Sequence, residues 1–508
     1  LMAMGRFELT SVTDSVRNFV TRWHNYDVLE QEYNELSLKY QEASLQLNAA
    51  QETVKQTEEL LGAEQAKQLV EALQTEPVVS IRLNRQKPAT LALEGATQVP
   101  WCADGIYLKQ RPNFTFDPLL HAGAYYVQEA SSMFLAEVLR QYVTKPVLML
   151  DLCAAPGGKS TLARSVLPAG SLLVSNEPMR QRSEVLSENM QKWGHPDVVV
   201  TNNYPADFRS AGILFDIILT DVPCSGEGMF RKEAEALAQW SPALVRQCSE
   251  LQRQIVADAW ECLKPGGLLV YSTCTLNTQE NEENIRHFEQ ELGAEVMPIG
   301  LKPDWNITGS LLEGWDKPVC RFIPGQTKGE GLFMAAMWKS DDDNSRQKLP
   351  KRKRNTNTAF ITPKHSVYDP QTICSDGANY MVAETATAQM AISCHWEEVY
   401  RQTASSLKVL LMGIQLAEKK GRDWVPCQSL ALSAALKKDI FHRVELSYQQ
   451  AISYLRRESF VLPDETPRGF VMTCYKGMPL GFMKNIGNRA NNLYPQEWRI
   501  RSTHIPPS

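Results

Sequence analysis

Short apolar runs separated by longer amphipathic stretches dominate the middle of the chain. Residues 147–152, 171–175, 198–201, 215–220 and 268–272 have the length and composition of strands buried on both faces. Between them, residues 179–193, 242–263 and 278–292 carry apolar positions at helical spacing. Strands alternating with helices predict an α/β fold, a doubly wound and mostly parallel sheet over residues 117–340. Upstream, Leu29, Tyr33, Leu36 and Tyr40 repeat at 4-3-4 spacing. They predict an amphipathic helix in an extension over residues 1–47, too short in heptads for a coiled coil. A charge-rich helical stretch at 52–73 leads into an alternating strand at 78–84, so residues 48–116 read as a small α/β domain. Residues 341–358 run from three aspartates to Lys351-Arg352-Lys353-Arg354 without periodicity and read as a linker. The remainder, 359–508, reads as a separate α/β module.

Length supports this division, since 508 residues exceed one ordinary core. No stretch approaches the roughly 18 consecutive apolar residues of a membrane span, and the amino terminus lacks a signal-peptide pattern. Eleven cysteines are scattered with no C-x-x-C pair. That argues against a zinc ribbon or disulfide scaffold and for reduced thiols, and so for a cytoplasmic location without a metal. The net charge of −5 conceals an asymmetry. From Ser345 onward there are 23 Lys and Arg against 13 Asp and Glu; before it there are 30 against 45. A basic C-terminal third on an acidic body suits a polyanionic partner, although a merely solvated basic face has the same composition.

The chemistry gathers at the ends of the expected strands. The first runs into Cys153-Ala154-Ala155-Pro156-Gly157-Gly158-Lys159-Ser160, a glycine turn before a helix, where backbone can approach a ligand closely. Gly158-Lys159-Ser160 copies the end of a phosphate-binding Walker loop, but that motif needs glycine where Cys153 stands, which disfavours a nucleoside triphosphatase. The second strand ends at Asn176-Glu177, placed to accept hydrogen bonds from two ribose hydroxyls. Asp207 follows the third, within reach of an adenine amino group. Each alone would serve equally as a helix cap; in series after a glycine loop they outline a site for a nucleoside cofactor without pyrophosphate.

Two further strand ends carry Asp221-Val222-Pro223-Cys224-Ser225-Gly226-Glu227-Gly228 and Thr273-Cys274-Thr275. In a parallel sheet both fall at the carboxyl edge, so two thiols and a carboxylate should face one pocket. That set suits methylation at carbon 5 of cytosine, a poor nucleophile. A thiolate adding to carbon 6 raises the electron density at carbon 5, and Asp221 can partner ring nitrogen 3. Chemistry alone leaves the two thiols exchangeable.

These blocks, with Leu150-Asp151-Leu152 ahead of the loop, resemble the signatures of the Sun/Fmu-type RNA (cytosine-5) methyltransferases. Tyr125-Tyr126-Val127-Gln128-Glu129-Ala130-Ser131-Ser132-Met133 is similar to that family's segment before the cofactor domain. The resemblance implies a Rossmann-like core that uses S-adenosyl-L-methionine. It assigns Cys274 as nucleophile, Cys224 to product release and Asp221 to the target base. It gives cofactor binding to Cys153, Ala154, Ala155, Pro156, Gly157, Gly158, Lys159, Glu177 and Asp207, with Asp221 beside them. Val222 departs from the family's usual alanine, at a side chain that need not touch the base.

In the tail, apolar residues alternate on both sides of Lys476-Gly477 and predict a hairpin followed by a basic loop. This resembles the C-terminal PUA-like RNA-binding module of the family's bacterial RsmF branch, whose substrate is 16S rRNA. The resemblance gives residues 48–116 an RNA-binding role and the small ribosomal subunit or its RNA as partner; the chain is expected to be a monomer. Lys484, Arg489, Arg499 and Arg501 are the candidate phosphate contacts. A tRNA cytosine-5 methyltransferase shares every catalytic block, and a non-catalytic assembly factor would share the fold.

Overall fold

The structure, a computed structural model, describes Lys55 and residues 58–232, 234–341 and 360–502. The expected extension at 1–47 and all of the expected linker beyond Asp341 lie outside the described residues. After α1 (Ala63–Leu73), β1 (Ser80–Leu83), β2 (Thr97–Gln98), β3 (Gly105–Tyr107) and β4 (Tyr125–Val127) form a four-stranded sheet in the order β2-β3-β1-β4. The small domain was expected to end at residue 116. Its sheet is completed instead by Tyr125–Val127, because Ile81, Arg82 and Leu83 pair with Val127, Tyr126 and Tyr125.

The central sheet has nine strands. Five are parallel: β5 (Leu148–Asp151), β6 (Leu172–Asn176), β7 (Val198–Thr201), β8 (Phe215–Asp221) and β9 (Leu263–Thr273). Helices α2 (Gly158–Val166), α3 (Arg180–Trp193), α4 (Pro205–Ala211), α5 (Pro242–Glu261) and α6 (Glu282–Leu292) lie between or beyond them in the chain. β5, β6 and β7 are buried throughout, and two apolar clusters divide the sheet's residues between its faces. That is why their sequences read as continuous apolar runs. The strand order β9-β8-β5-β6-β7 reverses direction between β5 and β8. At such a switch point the loops beyond the carboxyl ends diverge and leave a crevice. Antiparallel β10 (Glu295–Met297), β11 (Cys320–Phe322) and β12 (Leu332–Trp338) extend the sheet beyond β9.

The C-terminal third departs from the expectation of one separate module. It builds two four-stranded sheets. One holds β13 (Tyr380–Glu384), β14 (Ala388–Ser393), β16 (Ile414–Lys420) and β17 (Asp423–Pro426). Between β14 and β16, strand β15 (Val409–Met412) crosses to pair antiparallel with β7 and closes that edge of the central sheet. The other holds β18 (Arg443–Glu445), β19 (Gly469–Tyr475), β20 (Met478–Asn485) and β21 (Ala490–Asn492), with α7 (Tyr448–Leu455) between β18 and β19. The predicted hairpin is present: Lys476 (φ 48°) and Gly477 (φ 73°) join β19 to β20 with both central residues left-handed, as a type I′ turn requires. One apolar cluster joins Ile81, Leu119 and Tyr125 of the N-terminal part to Val444, Leu455 and Tyr494 of the last sheet. The ends of the chain therefore share a core, which a linker-tethered module would not need.

Arg82 pins the first sheet to the central one. Its side chain is buried, donates to Gln128 Oε1 (2.8 Å) and Thr161 Oγ1 (2.6 Å), and lies 4.2 Å from the Trp193 ring centroid.

Candidate active site

Four parallel strands deliver their carboxyl ends to the crevice. Beyond β5, Gly157 has φ 114°, a backbone conformation open to glycine, and an added Cβ would press on Leu186 at 3.2 Å. The turn aims residues 153–159 back across the sheet. Ala154 N donates to Asn176 O at 2.8 Å, and Pro156 O accepts from Asn189 Nδ2 at 2.8 Å. Lys159, in the first turn of α2, forms a 2.8 Å ion pair with Asp221 Oδ2 at the end of β8. Burial would lower the Lys159 pKa, but the charge and hydrogen bond of Asp221 outweigh it and the ammonium is held charged.

Three carboxylates surround this turn. Asp151, Glu177 and Asp221 all act electrostatically on Cys153, whose thiol is pushed well up chiefly by burial and then by these charges. Asp151 is fully buried; Oδ2 accepts from Ser160 Oγ at 2.6 Å, and Oδ1 has no partner among the described residues. Burial pushes its carboxyl up to about 7, with the Asp221 charge adding to the effect. Glu177 accepts from Met179 N at 2.9 Å and faces Arg182 at 3.5 Å, while Arg182 also donates to Ala155 O at 2.9 Å. An orphaned buried carboxylate oxygen and an excess of negative charge fit a ligand carrying ammonium and sulfonium groups, as S-adenosylmethionine does.

The two thiols meet at the ends of neighbouring strands. Cys224 Sγ lies 3.1 Å from Cys274 Sγ, and both residues are partly exposed. The contact with Cys274 and then burial push the Cys224 thiol well up. Cys248 and Cys262 lie in the core, where small apolar side chains belong. Val222 is likewise packed in the core.

Two buried glutamates stitch the cysteine loops together, and residue-type reasoning missed both. Glu227 accepts from Leu276 N (2.7 Å), Asn277 N (2.9 Å), Asn277 Nδ2 (3.0 Å) and Trp240 Nε1 (3.0 Å). Glu280 accepts from Ser225 N (3.1 Å), Gln252 Nε2 (2.7 Å) and Asn277 Nδ2 (2.9 Å). Each carboxylate thus reaches the opposite loop and fills its remaining lone pairs from neighbouring side chains, which is what makes its burial tolerable. The Ser225 and Thr275 hydroxyls add a 2.9 Å bond between the loops. Below them the buried Arg321–Glu282 ion pair grips the Cys274 loop, Arg321 donating to Leu276 O at 2.6 Å. The available signal was the string Asn277, Glu280, Asn281, Glu282 and Asn284 just after Cys274, which ordinary polarity assigns to solvent and the fold buries completely or nearly so.

Asp207 behaves differently from the others. It is the third residue of α4, exposed, with Oδ2 accepting from Tyr204 N at 2.8 Å, the capping role that residue type alone also allowed. Of the candidate phosphate contacts, Arg489, Arg499 and Arg501 are exposed, whereas Lys484 is half-buried with Nζ 5.4 Å from the Phe470 ring centroid.

Residues 142–338 match the family model of 16S rRNA methyltransferase RsmB/F. Residues 49–130 match the N-terminal domain of 16S rRNA methyltransferase RsmF, and residues 441–500 the methyltransferase RsmF PUA domain. The chain is 30% identical over 435 residues to ribosomal RNA small subunit methyltransferase F of Photobacterium profundum, spanning 80% of this chain and 86% of that one. It is 31% identical over 430 residues to the protein of the same name in Escherichia coli K12, spanning 79% and 84%. A methyltransferase homolog from Pyrococcus horikoshii, solved by crystallography, aligns with a TM-score of 0.48 at 25% identity over 56% of this chain and 93% of its own. With three matched segments in order and similarity along most of its length, the chain belongs to the RsmF family of small-subunit ribosomal RNA methyltransferases.

Proposed function

We propose that the protein methylates carbon 5 of one cytosine in 16S rRNA through a covalent adduct with Cys274. The observation that supports this most is the 3.1 Å contact between two half-buried thiols beyond the carboxyl ends of β8 and β9, beside the Asp221–Lys159 pair. Bound S-adenosylmethionine supplies the methyl group. Residues 153–159, Glu177 and Asp207 would hold it, and the unpartnered oxygen of Asp151 would offset its positive charge.

Cys274 Sγ bonds to carbon 6, and the displaced electron pair activates carbon 5. Asp221 partners ring nitrogen 3 through a proton that the nitrogen takes as carbon 6 is attacked and returns when the adduct collapses, while Lys159 stays paired behind it. Once carbon 5 carries its methyl group, the proton there must leave and the carbon–sulfur bond must break. Cys224, the thiol held protonated, gives its proton to the departing Cys274 sulfur and is restored by the proton from carbon 5. Glu280 acts electrostatically on Cys224 and Lys159 on Cys274, so negative charge sits beside the proton holder and positive charge beside the nucleophile. A base buried in a helix cannot present carbon 6 to Cys274, so the target is flipped out or lies in a loop. Lys484, Arg489, Arg499 and Arg501 contact phosphates.

Bisulfite sequencing of total RNA from cells with and without the gene tests the proposal. One 16S rRNA cytosine should lose its protection when the gene is absent. A lost tRNA site would move the substrate, and no lost site would refute the enzymatic reading.

A further inference from the structure

A cleft of about 570 Å3 opens between the β16–β17 arm and the segment after β21. Its walls include Gln191 at the end of α3, Gln415, Lys420 and Gln428 from the arm, and Arg457 and Trp498 beyond. Nothing in the methyl-transfer chemistry uses it. Three features give it the chemistry of an unpaired nucleotide. Trp498 offers a partly exposed ring, with Tyr494 edge-on at 6.2 Å and Lys192 Nζ 5.6 Å from its centroid. Amide side chains line the cleft: Gln191 and Gln428 each donate one N–H within the protein, at 3.3 and 2.6 Å, and keep a second N–H for a base edge. Glu418 and Glu497 also line it, acceptors suited to exocyclic amines.

Positive charge flanks both walls. Lys419, Lys420 and Arg422 are exposed at the β16–β17 turn, and Arg457, Arg499 and Arg501 are exposed on the other side; Lys420 lies 3.4 Å from Glu418, an exposed pair weak enough for a phosphate to displace. Arg457 is the second residue after α7 and adopts φ 65°, a left-handed conformation that commonly falls to glycine beyond a helix end. Its guanidinium donates to Gln496 Oε1 on the cleft wall. The chain thus accepts a disfavoured backbone with a full cationic side chain where the cleft needs one.

A second hollow lies between the cleft and the cofactor loop in the order of residues along α3. Along α3 from Gln191, a hollow of about 200 Å3 is lined by Tyr126, Asn189, Lys192 and Trp193. Asn189 and Tyr126 both donate to Pro156 O of the cofactor loop, at 2.8 and 3.3 Å.

We propose that the cleft binds an unpaired stretch of the substrate RNA, one base stacking on Trp498 and the backbone phosphates meeting Lys420 and Arg457. The proposal rests on the reading of the protein as an RNA methyltransferase and adds a second contact surface to it. The strand then runs along α3 toward the thiols, so the enzyme reads single-stranded sequence or shape at a distance from the reacting base.

The test uses the full chain and a single-stranded ribo-oligonucleotide carrying 4-thiouridine, crosslinked by light and mapped by peptide mass spectrometry. Crosslinks are expected in the peptides containing Gln415 to Gln428 and Tyr494 to Trp498. Substituting Arg457→Ala and Lys420→Ala together should weaken oligonucleotide binding about tenfold and flatten its salt dependence by roughly one to two phosphates' worth. Trp498→Ala should weaken binding by a similar factor and Trp498→Phe should retain most of it. Cofactor affinity stays unchanged in all of these, which separates lost RNA contact from misfolding. Crosslinks confined to Lys484 and Arg489, or unchanged binding in the double variant, would overturn the cleft assignment. Wild-type protein that crosslinks here yet methylates no RNA would sink the enzymatic reading and leave the cleft standing.

Discussion

Gly228 N donates to the carbonyl oxygen of Cys274 at 2.7 Å, and a Cβ at Gly228 would lie 2.5 Å from that same oxygen. The two cysteine loops are therefore in backbone contact, with no room for a side chain between them. Gly228→Ala must push the loops apart, because the atom it meets is backbone. The expected outcome is a fall in kcat of at least about a hundredfold with cofactor affinity unchanged, since a misplacement near 1 Å costs about that much. Single-turnover rates and cofactor titration check it, and a variant with near wild-type kcat would show that the thiol spacing is not critical.

Arg321 and Glu282 form an ion pair with almost no solvent exposure, side chains 1% and 0% accessible. Arg321→Met would leave the Glu282 charge buried and unpaired, at a cost of about 3–5 kcal/mol in unfolding free energy. Arg321→Lys keeps the charge but loses the fork that reaches Leu276 O and Asn277 O beyond Cys274. It should fold and yet lower kcat more than KM. Denaturant melts with steady-state kinetics separate the two effects, and equal kinetics in the lysine variant would make the pair purely structural.

Asp151 gives the protein a pH dependence of definite sign. Its carboxyl is raised from 3.8 to about 7 in the folded chain. Between those values the folded protein holds a proton that the unfolded chain has lost. This contribution to stability is complete below about pH 4 and is lost as pH climbs to about 7, at up to roughly 1.4 kcal/mol per pH unit. Without cofactor, the melting temperature should fall from pH 5 to pH 8, and Asp151→Asn should flatten that fall. A positive ligand group beside Asp151 restores its charge, so cofactor affinity should rise over the same interval with release of a proton. Calorimetry in buffers of different ionisation enthalpy detects that release; affinity falling with pH would contradict the placement.

Strand β15 makes the C-terminal third part of the methyltransferase sheet. A chain truncated at residue 344 loses the partner of Val199, Val200 and Thr201 and the partly shared core of Tyr400, Leu411 and Met412. It should therefore aggregate rather than give a folded enzyme with weakened RNA binding. Size-exclusion chromatography and a thermal melt decide this, and a monomeric, cooperatively melting fragment would refute the structural role of β15.

The parallel core was legible because burial on both faces leaves a continuous apolar run, and residues 198–201 mark β7 to the residue. The two thiols, Asp221 and the glycine loop were legible because cysteine after proline and glycine pairs before helices stand out by residue type. The clamps around them were not. Glu227, Glu280 and Glu282 are charged residues whose cross-loop partners lie 28 to 55 positions away, and no local pattern encodes those partners. β15 escaped for a related reason: Val409 to Met412 is four apolar residues whose partner strand lies some two hundred positions earlier. The boundary near residue 116 failed likewise, since Tyr125–Val127 resembles a lead-in to the core until its pairing with β1 is known.

The most direct test of the central claim is to incubate purified Cys224→Ala protein with 16S rRNA and S-adenosylmethionine, denature the mixture, and map any nucleotide-bearing peptide. The account predicts a denaturation-resistant adduct attached through Cys274, accumulating because the sulfur cannot leave without the Cys224 proton, and none with Cys274→Ala. An adduct that forms in Cys274→Ala protein and maps to Cys224 would contradict it and exchange the roles of the two thiols.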